Sequence, residues 1–359
     1  MDFNFSDSIV LWYIENKRDL PWRNTHDPYK IWVSEIILQQ TRIAQGLSYY
    51  NRFVQRFPTI AQLAEASEDE VLILWQGLGY YSRARNMHAA AKNILEKHNG
   101  IFPSSYNEIR SLKGVGDYTA AAIASFAFNL PFATLDGNVF RLLSRYFAID
   151  TPIDSCEGKK QFASLSQQLL NPAKAALHNQ GMMDLGATVC LPSSPHCDEC
   201  PVSSSCLAFS QNSQNEFPVK SKKTKQKERF FLYVKICDKG YTYLHRRSAK
   251  DIWKGLYEFP LIEWGEELTD EKLFDALATL LDQFQITTVN TVHASVAHQL
   301  SHQKILARLV EVEGSIRVGN SDFIKIRENQ LGDFAVSRLT ELLINSKSLN
   351  YSLSLHPIK

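Results

Sequence analysis

The chain has 359 residues, enough for two domains with separate cores, and its 44% hydrophobic and 21% charged residues describe an ordinary globular protein. A net charge of +1 excludes a global field for nucleic acid, so any DNA contact must rest on local basic patches. The start Met1-Asp2-Phe3-Asn4-Phe5-Ser6-Asp7 lacks the basic beginning of a secretory signal and no apolar run reaches membrane-spanning length, so a cytoplasmic protein without membrane contact is expected.

Residues 1–209 read as a mainly α domain. Thr59-x-x-Gln62, Ser67-x-x-Glu70 and Ser105-x-x-Glu108 each match the capping box that opens a helix. Asp27 and Pro28 supply an N-cap and a first-turn proline for a helix from Tyr29 to Gln45. That helix carries Glu35 among Ile31, Trp32, Val33, Ile36 and Ile37, where a carboxylate faces either solvent or a dry cleft. A capped helix over 106–112 leads into Leu112-Lys113-Gly114-Val115-Gly116 and an alanine-rich helix from Thr119 to Phe128. Gly114 and Gly116 allow a tight helix–hairpin–helix turn that exposes backbone N–H groups, a site for a DNA phosphate that reads no sequence. Asp136 in Leu135-Asp136-Gly137-Asn138-Val139 is of a residue type common in turns and caps.

Cys190, Cys197, Cys200 and Cys206 follow, spaced C-x6-C-x2-C-x5-C across a loop folded back by Pro192, Pro195 and Pro201. Four thiolates so close together point to one metal centre, a tetrahedral zinc or an iron–sulfur cluster. Only Cys197 and Cys200 form a short knuckle, and the wide flanks suit a cluster better than one ion. Two disulfides fit an intracellular chain poorly, and Cys156 and Cys237 would remain reduced thiols.

Residues 210–229 are polar, with Lys220, Lys222, Lys223, Lys225, Lys227 and Arg229 against Glu216 and Glu228, and read as a solvated basic linker or a strap across a phosphate backbone. Residues 230–359 then read as an α+β domain. Phe230 to Ile236 and Tyr241 to His245 flank Asp238-Lys239-Gly240 as a hairpin. Thr269 is placed to cap a helix with Leu273, Phe274, Leu277, Leu281 and Phe284 on one face, and Ile305, Ala307 and Leu309 alternate along a later strand.

Two carboxylates can divide glycosidic chemistry, one acid for the leaving group and one anion for the cationic sugar. On that point the chain resembles the MutY family, adenine DNA glycosylases of the helix-hairpin-helix superfamily. The resemblance runs through Leu20-Pro21-Trp22-Arg23, Trp32-Val33-Ser34-Glu35 with Leu38-Gln39-Gln40-Thr41, and Trp75 to Arg85. It continues through Gly114 to Ala120, Leu135 to Val139, Met182-Met183-Asp184-Leu185-Gly186-Ala187 and the four cysteines. It implies a [4Fe–4S] cluster on Cys190, Cys197, Cys200 and Cys206 in a loop over 190–206, and hydrolysis of adenine mispaired with 8-oxoguanine or guanine in double-stranded DNA by a nucleoid-associated monomer. It assigns Glu35 as general acid/base and Asp136 as stabiliser of the sugar cation, positioned by Tyr118 and Asn138. DNA contacts fall to Arg23, Gln40, Thr41, Leu78, Tyr80, Gly114 and Gly116, with Leu78 and Tyr80 at positions that wedge the duplex.

The C-terminal part is similar to a Nudix-like 8-oxoguanine-recognition domain through Trp253-Lys254-Gly255-Leu256-Tyr257-Glu258-Phe259-Pro260. The Arg-Glu…Glu-Glu set of a working Nudix hydrolase is missing after Gly255, so no second active site is expected. The family's Phe-Ser-His loop stands here as Leu300-Ser301-His302, which makes Ser301 and His302 the candidate lesion contacts and puts an aromatic contact in doubt. A bifunctional glycosylase/lyase of the endonuclease-III type is the alternative; those relatives carry a lysine amine for Schiff-base chemistry where this chain has Tyr118. A non-catalytic iron–sulfur DNA-binding module is opposed by the retention of both Glu35 and Asp136.

Overall fold

The helices of the first half are, in chain order, α1 (Phe5–Asn16), α2 (Pro28–Leu38), α3 (Ile43–Arg56), α4 (Ile60–Glu65), α5 (Glu68–Trp75), α6 (Ser82–Lys97), α7 (Tyr106–Ser111), α8 (Asp117–Phe128), α9 (Gly137–Tyr146), α10 (Cys156–Leu169), α11 (Ala175–Thr188) and α12 (Leu207–Ser210). Local side-chain caps start α2, α5, α7, α9 and α10 among them. A computed structural model describes residues 5–221, 226–248, 251–280, 283–317, 322–349 and 353–354. Asp27 accepts the Tyr29 N–H at 2.9 Å, Ser67 and Glu70 complete a capping box, and Ser105 accepts the Glu108 N–H at 3.3 Å.

Two units separate by contact: Met1–Glu65 with Asn86–Lys223, and Ala66–Arg85 with Thr224–Lys359. In the first, Phe5, Ile9, Val139, Leu143, Phe162 and Leu185 tie α1, α9, α10 and α11 into one core. The single helix expected from Tyr29 to Gln45 is instead two. Gln40 sits at φ +57, in the left-handed region, and the Thr41 N–H turns back to the Leu38 carbonyl at 3.2 Å. Packing explains the break. α2 is buried almost all round, whereas α3 turns Gly46, Tyr50 and Phe53 inward, and one straight helix cannot present both patterns. A Cβ at Gly46 would lie 2.7 Å from the Leu38 side chain, so the two helices meet where no side chain fits.

The second unit contains α5, the loop after it, and β1 (Lys227–Cys237), β2 (Tyr241–Arg246), β3 (Tyr257–Glu258), β4 (Leu261–Trp264), α13 (Asp270–Ala278), β5 (Phe284–His293), β6 (Val296–Gln299), β7 (Gln303–Ile316), β8 (Phe323–Arg327), α14 (Arg338–Ile344), β9 (Ser348–Leu349) and β10 (Leu353–Ser354). The larger sheet runs β10-β5-β7-β1-β4, with β6 on β7 and β9 on β5; the smaller is β3-β2-β8. β1 and β7 pair in parallel from Lys227 opposite Gln303 to Cys237 opposite Glu313. The period of two along β1 feeds two cores. Phe231 and Tyr233 pack with Ile305, Ala307 and Leu309, while Leu232, Val234 and Ile236 pack with Leu273 and Leu277 of α13.

Three expectations change here. The Asp238-Lys239-Gly240 turn forms, with Lys239 and Gly240 at positive φ, but β1 and β2 enter different sheets because β7 and β4 already occupy both edges of β1. The helix after Thr269 ends at Ala278, Thr269 makes no side-chain cap, and Phe284 opens β5, buried against Tyr243. Leu281 and the Phe274 side chain lie outside what is described. The basic stretch turns into strand at Lys227, and Arg229 binds Asp251 and Glu263 rather than solvent; Lys222, Lys223 and Lys225 lie outside the described residues. No helix among the described residues is long and apolar enough to cross a membrane.

Candidate active site

Glu35 of α2, Tyr118 of α8 and Asp136 before α9 line one cavity of about 490 Å³ in the first unit, with Arg23, Thr41 and Asn138. Glu35 is 6% exposed, and the Tyr118 hydroxyl donates to its Oε2 at 2.9 Å. Burial pushes the Glu35 carboxyl above its ordinary 4.5; the Arg23 guanidinium and the Tyr118 hydrogen bond oppose this, and the Asp136 charge reinforces it. Burial and the two carboxylates hold the Tyr118 phenol well above 10.0, so it is a donor and not a base.

Asp136 is the N-cap of α9. Its Oδ1 accepts the N–H groups of Asn138 at 3.0 Å and Val139 at 2.8 Å, and its Oδ2 accepts the Asn138 amide at 2.8 Å. Burial pushes this carboxyl up as well, against those three donors and Arg141. The Asn138 amide is oriented in turn by Arg141, which donates to Asn138 Oδ1 at 2.9 Å and to the Cys190 carbonyl at 2.7 Å. A Cβ at Gly186 would lie 2.7 Å from that of Asn138, so the absence of a side chain lets α11 approach α9. On the same cavity Arg18 and Arg23 share Asp184, at 2.5 and 3.2 Å, and the Nε of each arginine is buried without a hydrogen-bond partner.

Cys190, Cys197, Cys200 and Cys206 are all free thiols and line a second cavity of about 20 Å³, with Leu142, Tyr146, Val189 and Val202. Arg145, one turn after Arg141, donates to Cys190 Sγ at 3.4 Å and to the carbonyls of Leu191, Pro192 and Gln214. Gln214 donates to Cys197 Sγ at 3.8 Å. Burial, with the neighbouring thiols, pushes Cys200 up to about 12. Among the described residues no group of three or more His, Cys, Asp or Glu side chains is set to hold a metal ion.

α7 and α8 form the expected hairpin. Gly114 adopts φ +84, and a Cβ there would meet Asn86 at 2.7 Å; at Gly116, the N-cap of α8, a Cβ would meet nothing within 4 Å. The first turn of α8 therefore opens its unpaired N–H groups to an approaching anion.

Residues 33–172 match the HhH-GPD superfamily of base excision DNA repair proteins, and residues 232–346 match the NUDIX domain. The adenine DNA glycosylase of Buchnera aphidicola subsp. Baizongia pistaciae is 40% identical over 265 residues, spanning 71% of this chain and 73% of that one. The chain belongs to the adenine DNA glycosylase family. The human adenine DNA glycosylase is 43% identical over 221 residues, 59% of this chain and 40% of its own. A thermostable thymine-DNA glycosylase superposes with a TM-score of 0.54 at 28% identity, covering 58% of this chain and 95% of that one. The protein is thus an adenine-specific DNA glycosylase of base-excision repair, with a helical glycosylase domain and a NUDIX-like domain.

Beyond the four cysteines and the hairpin glycines, the glycosylase's expected site residues divide between the two units. Glu35, Tyr118, Asp136, Asn138, Arg23 and Thr41 converge on the large cavity; Gln40, beside Thr41, is exposed. Arg23, expected on DNA, is buried and pairs with Asp184 on the wall of that cavity. Leu78, Tyr80, Ser301 and His302 belong to the second unit. There the Tyr80 hydroxyl meets that of Ser301, Leu78 is buried, and Tyr80 is 48% exposed. Ser301 and His302 form the exposed β6–β7 tip, and Leu300 packs into the core behind them. Arg18, Arg141 and Arg145 escaped the sequence reading, and Asp184 entered it only within the Met182–Ala187 motif, without a role. The two arginines four apart on the buried side of α9 are the signal that could have found Arg141 and Arg145.

Proposed function

We propose that this enzyme hydrolyses the N-glycosidic bond of adenine opposite 8-oxoguanine or guanine in double-stranded DNA, without strand cleavage. The observation that carries the chemistry is the buried Glu35 carboxyl, held by Tyr118 on the wall of the cavity that Asp136 also lines. An adenine rotated out of the stack enters that cavity, at an unpairing cost that a mispair lowers. Glu35, favoured in its protonated form by burial, protonates the adenine ring and then, ionised, assists the attacking water. Asp136 is held in place by three donors, which orient it to stabilise the positive charge that develops on the sugar. Arg18 and Arg23, paired with Asp184, set positive charge on the wall of this cavity. Among the described residues that line this cavity the lyase lysine's place is taken by Tyr118 and none is a lysine, which supports hydrolysis over lyase chemistry.

The cysteine loop fits a [4Fe–4S] cluster. Four thiols meet in one pocket whose other lining includes Leu142, Val189, Val202 and Arg145, and four thiolates there need more positive charge than one arginine to offset their mutual repulsion. Arg145 and Gln214 supply N–H groups to the sulfurs. The cluster, when bound, supplies a rigid cross-link for the loop. We assign base excision to the helical domain of residues 1–209, apart from the stretch Ala66–Arg85 that groups with the second unit. Lesion recognition falls to the NUDIX-like domain of residues 230–359, which takes the end of the linker from Lys227 into its first strand, with Ser301 and His302 reading the 8-oxo group and the protonated N7. The protein works as a cytoplasmic, nucleoid-associated monomer. Base release under single turnover from duplexes with A opposite 8-oxoguanine, G and T tests the assignment. Release in that descending order is expected; equal release from all three duplexes overturns it.

A further inference from the structure

We propose that the loop Gln76–Tyr81, which carries Leu78 and Tyr80, is positioned by the NUDIX-like fold, so that the wedge and the lesion contacts move as one body. The proposal rests on the reading of Leu78 and Tyr80 as the wedge and of Ser301 with His302 as the sensor. The loop is unusual in backbone terms. Gly77, Gly79 and Tyr80 all have positive φ, and Tyr80 pays a steric cost there that a glycine would not. Such a conformation persists only where surroundings over-determine it. Trp75 Nε1 and Arg83 Nη2 each donate to the Gly79 carbonyl at 3.1 Å, which braces the turn from within.

The outer supports come from the strands and helices beyond residue 227. The Gln76 amide donates to Glu341 of α14 and accepts the Val336 N–H at 3.4 Å. The Tyr81 hydroxyl donates to the Val336 carbonyl at 3.4 Å. At the start of α5, Arg246 of β2 reaches Glu68 at 3.1 Å and Asp69 at 2.9 Å, and Tyr257 donates to Asp69 at 3.3 Å. Both ends of the helix that leads into the loop are therefore held by the unit that carries Ser301. Arg246, Gln76 and Glu341 are positioning residues, and none of them lines the Glu35 cavity.

The test reads duplex opening and excision separately. 2-Aminopurine placed opposite 8-oxoguanine or G reports opening by fluorescence, and single-turnover release of adenine reports chemistry. Arg246→Glu, facing Glu68 and Asp69, and Glu341→Ala are each expected to slow opening about three-fold, the scale of an exposed ion-pair or hydrogen-bond coupling. Combining Arg246→Glu with Asp69→Arg restores the pair and is expected to recover most of that loss, which a merely unfolded variant would not do. Thermal melts of all variants identify one that fails to fold, in which case Glu341→Ala carries the test. Unchanged opening in both single variants overturns the proposal. Ser301→Ala with His302→Ala separates the underlying reading: if that variant keeps the full 8-oxoguanine:G ratio while Arg246→Glu still slows opening, the sensor assignment fails and the positioning of the loop stands.

Discussion

Glu35→Gln should destroy activity and raise stability together. The substitution keeps the shape and leaves an amide oxygen to accept the Tyr118 hydroxyl, now at 2.9 Å from Glu35, but removes the proton donor. General acid–base catalysis contributes about 10²–10⁴-fold, so adenine release should fall by about that factor at unchanged duplex affinity. Stability moves the other way. Between its ordinary 4.5 and its raised value, Glu35 holds a proton in the folded state and releases it on unfolding, so wild-type stability falls as pH rises through that window. The variant has no such term. A buried carboxyl with one hydrogen bond carries a desolvation cost on the order of 1–2 kcal/mol at neutral pH, equivalent to about 2–8 °C in Tm for a unit of this size. Single-turnover base release gives the first quantity; melts of both proteins from pH 4 to 8 give the second. The Tm advantage of the variant should shrink toward zero as pH falls to 4.5. Excision within tenfold of wild type, or a lower Tm at pH 8, would refute the argument that this carboxyl is placed for chemistry at a cost in stability.

Tyr118→Lys puts an amine on the cavity wall and should give a borohydride-trapped protein–DNA adduct; trapping by the unmodified protein would establish lyase chemistry instead. Purified protein should be brown, with about four irons per chain, and Cys197→Ser or Cys200→Ser should lose colour and iron together, whereas colourless active protein with one zinc would contradict the cluster. Ser301→Ala with His302→Ala should narrow the 8-oxoguanine:G excision ratio about ten- to a hundredfold without changing the rate on saturating A:G substrate. Gly186→Ala places a methyl 2.7 Å from the Asn138 Cβ, and this overpacking of α11 on α9 should cost about 1–3 kcal/mol in melts and slow adenine release as Asp136 shifts.

What the sequence by itself determined was local or short in range. Ser67 with Glu70, Asp27 with Pro28, and the two glycines of the 114–116 hairpin act through neighbours a few residues away, so their chemistry is visible in the string. The resemblance gave roles to Glu35 and Asp136, which the sequence had already singled out, and the cavity holds both. Tertiary structure decided where long-range packing competes with local preference. Nothing local marks Leu38 as the end of α2 or puts Gln40 in the left-handed region; the break follows from α3 closing on Leu38. The Asp238–Gly240 turn is correct, yet β1 pairs in parallel with a strand some seventy residues on, from Lys227 opposite Gln303, because its two faces must fill two cores. Arg141 and Arg145 look like surface arginines on a helix until the Cys190 loop folds over them and their donors find its backbone carbonyls. The partners of Gln76 and Asp69, Glu341 and Arg246, lie far along the chain. A sequence pattern reports which faces must be buried; which distant segment buries them is settled only when the chain closes.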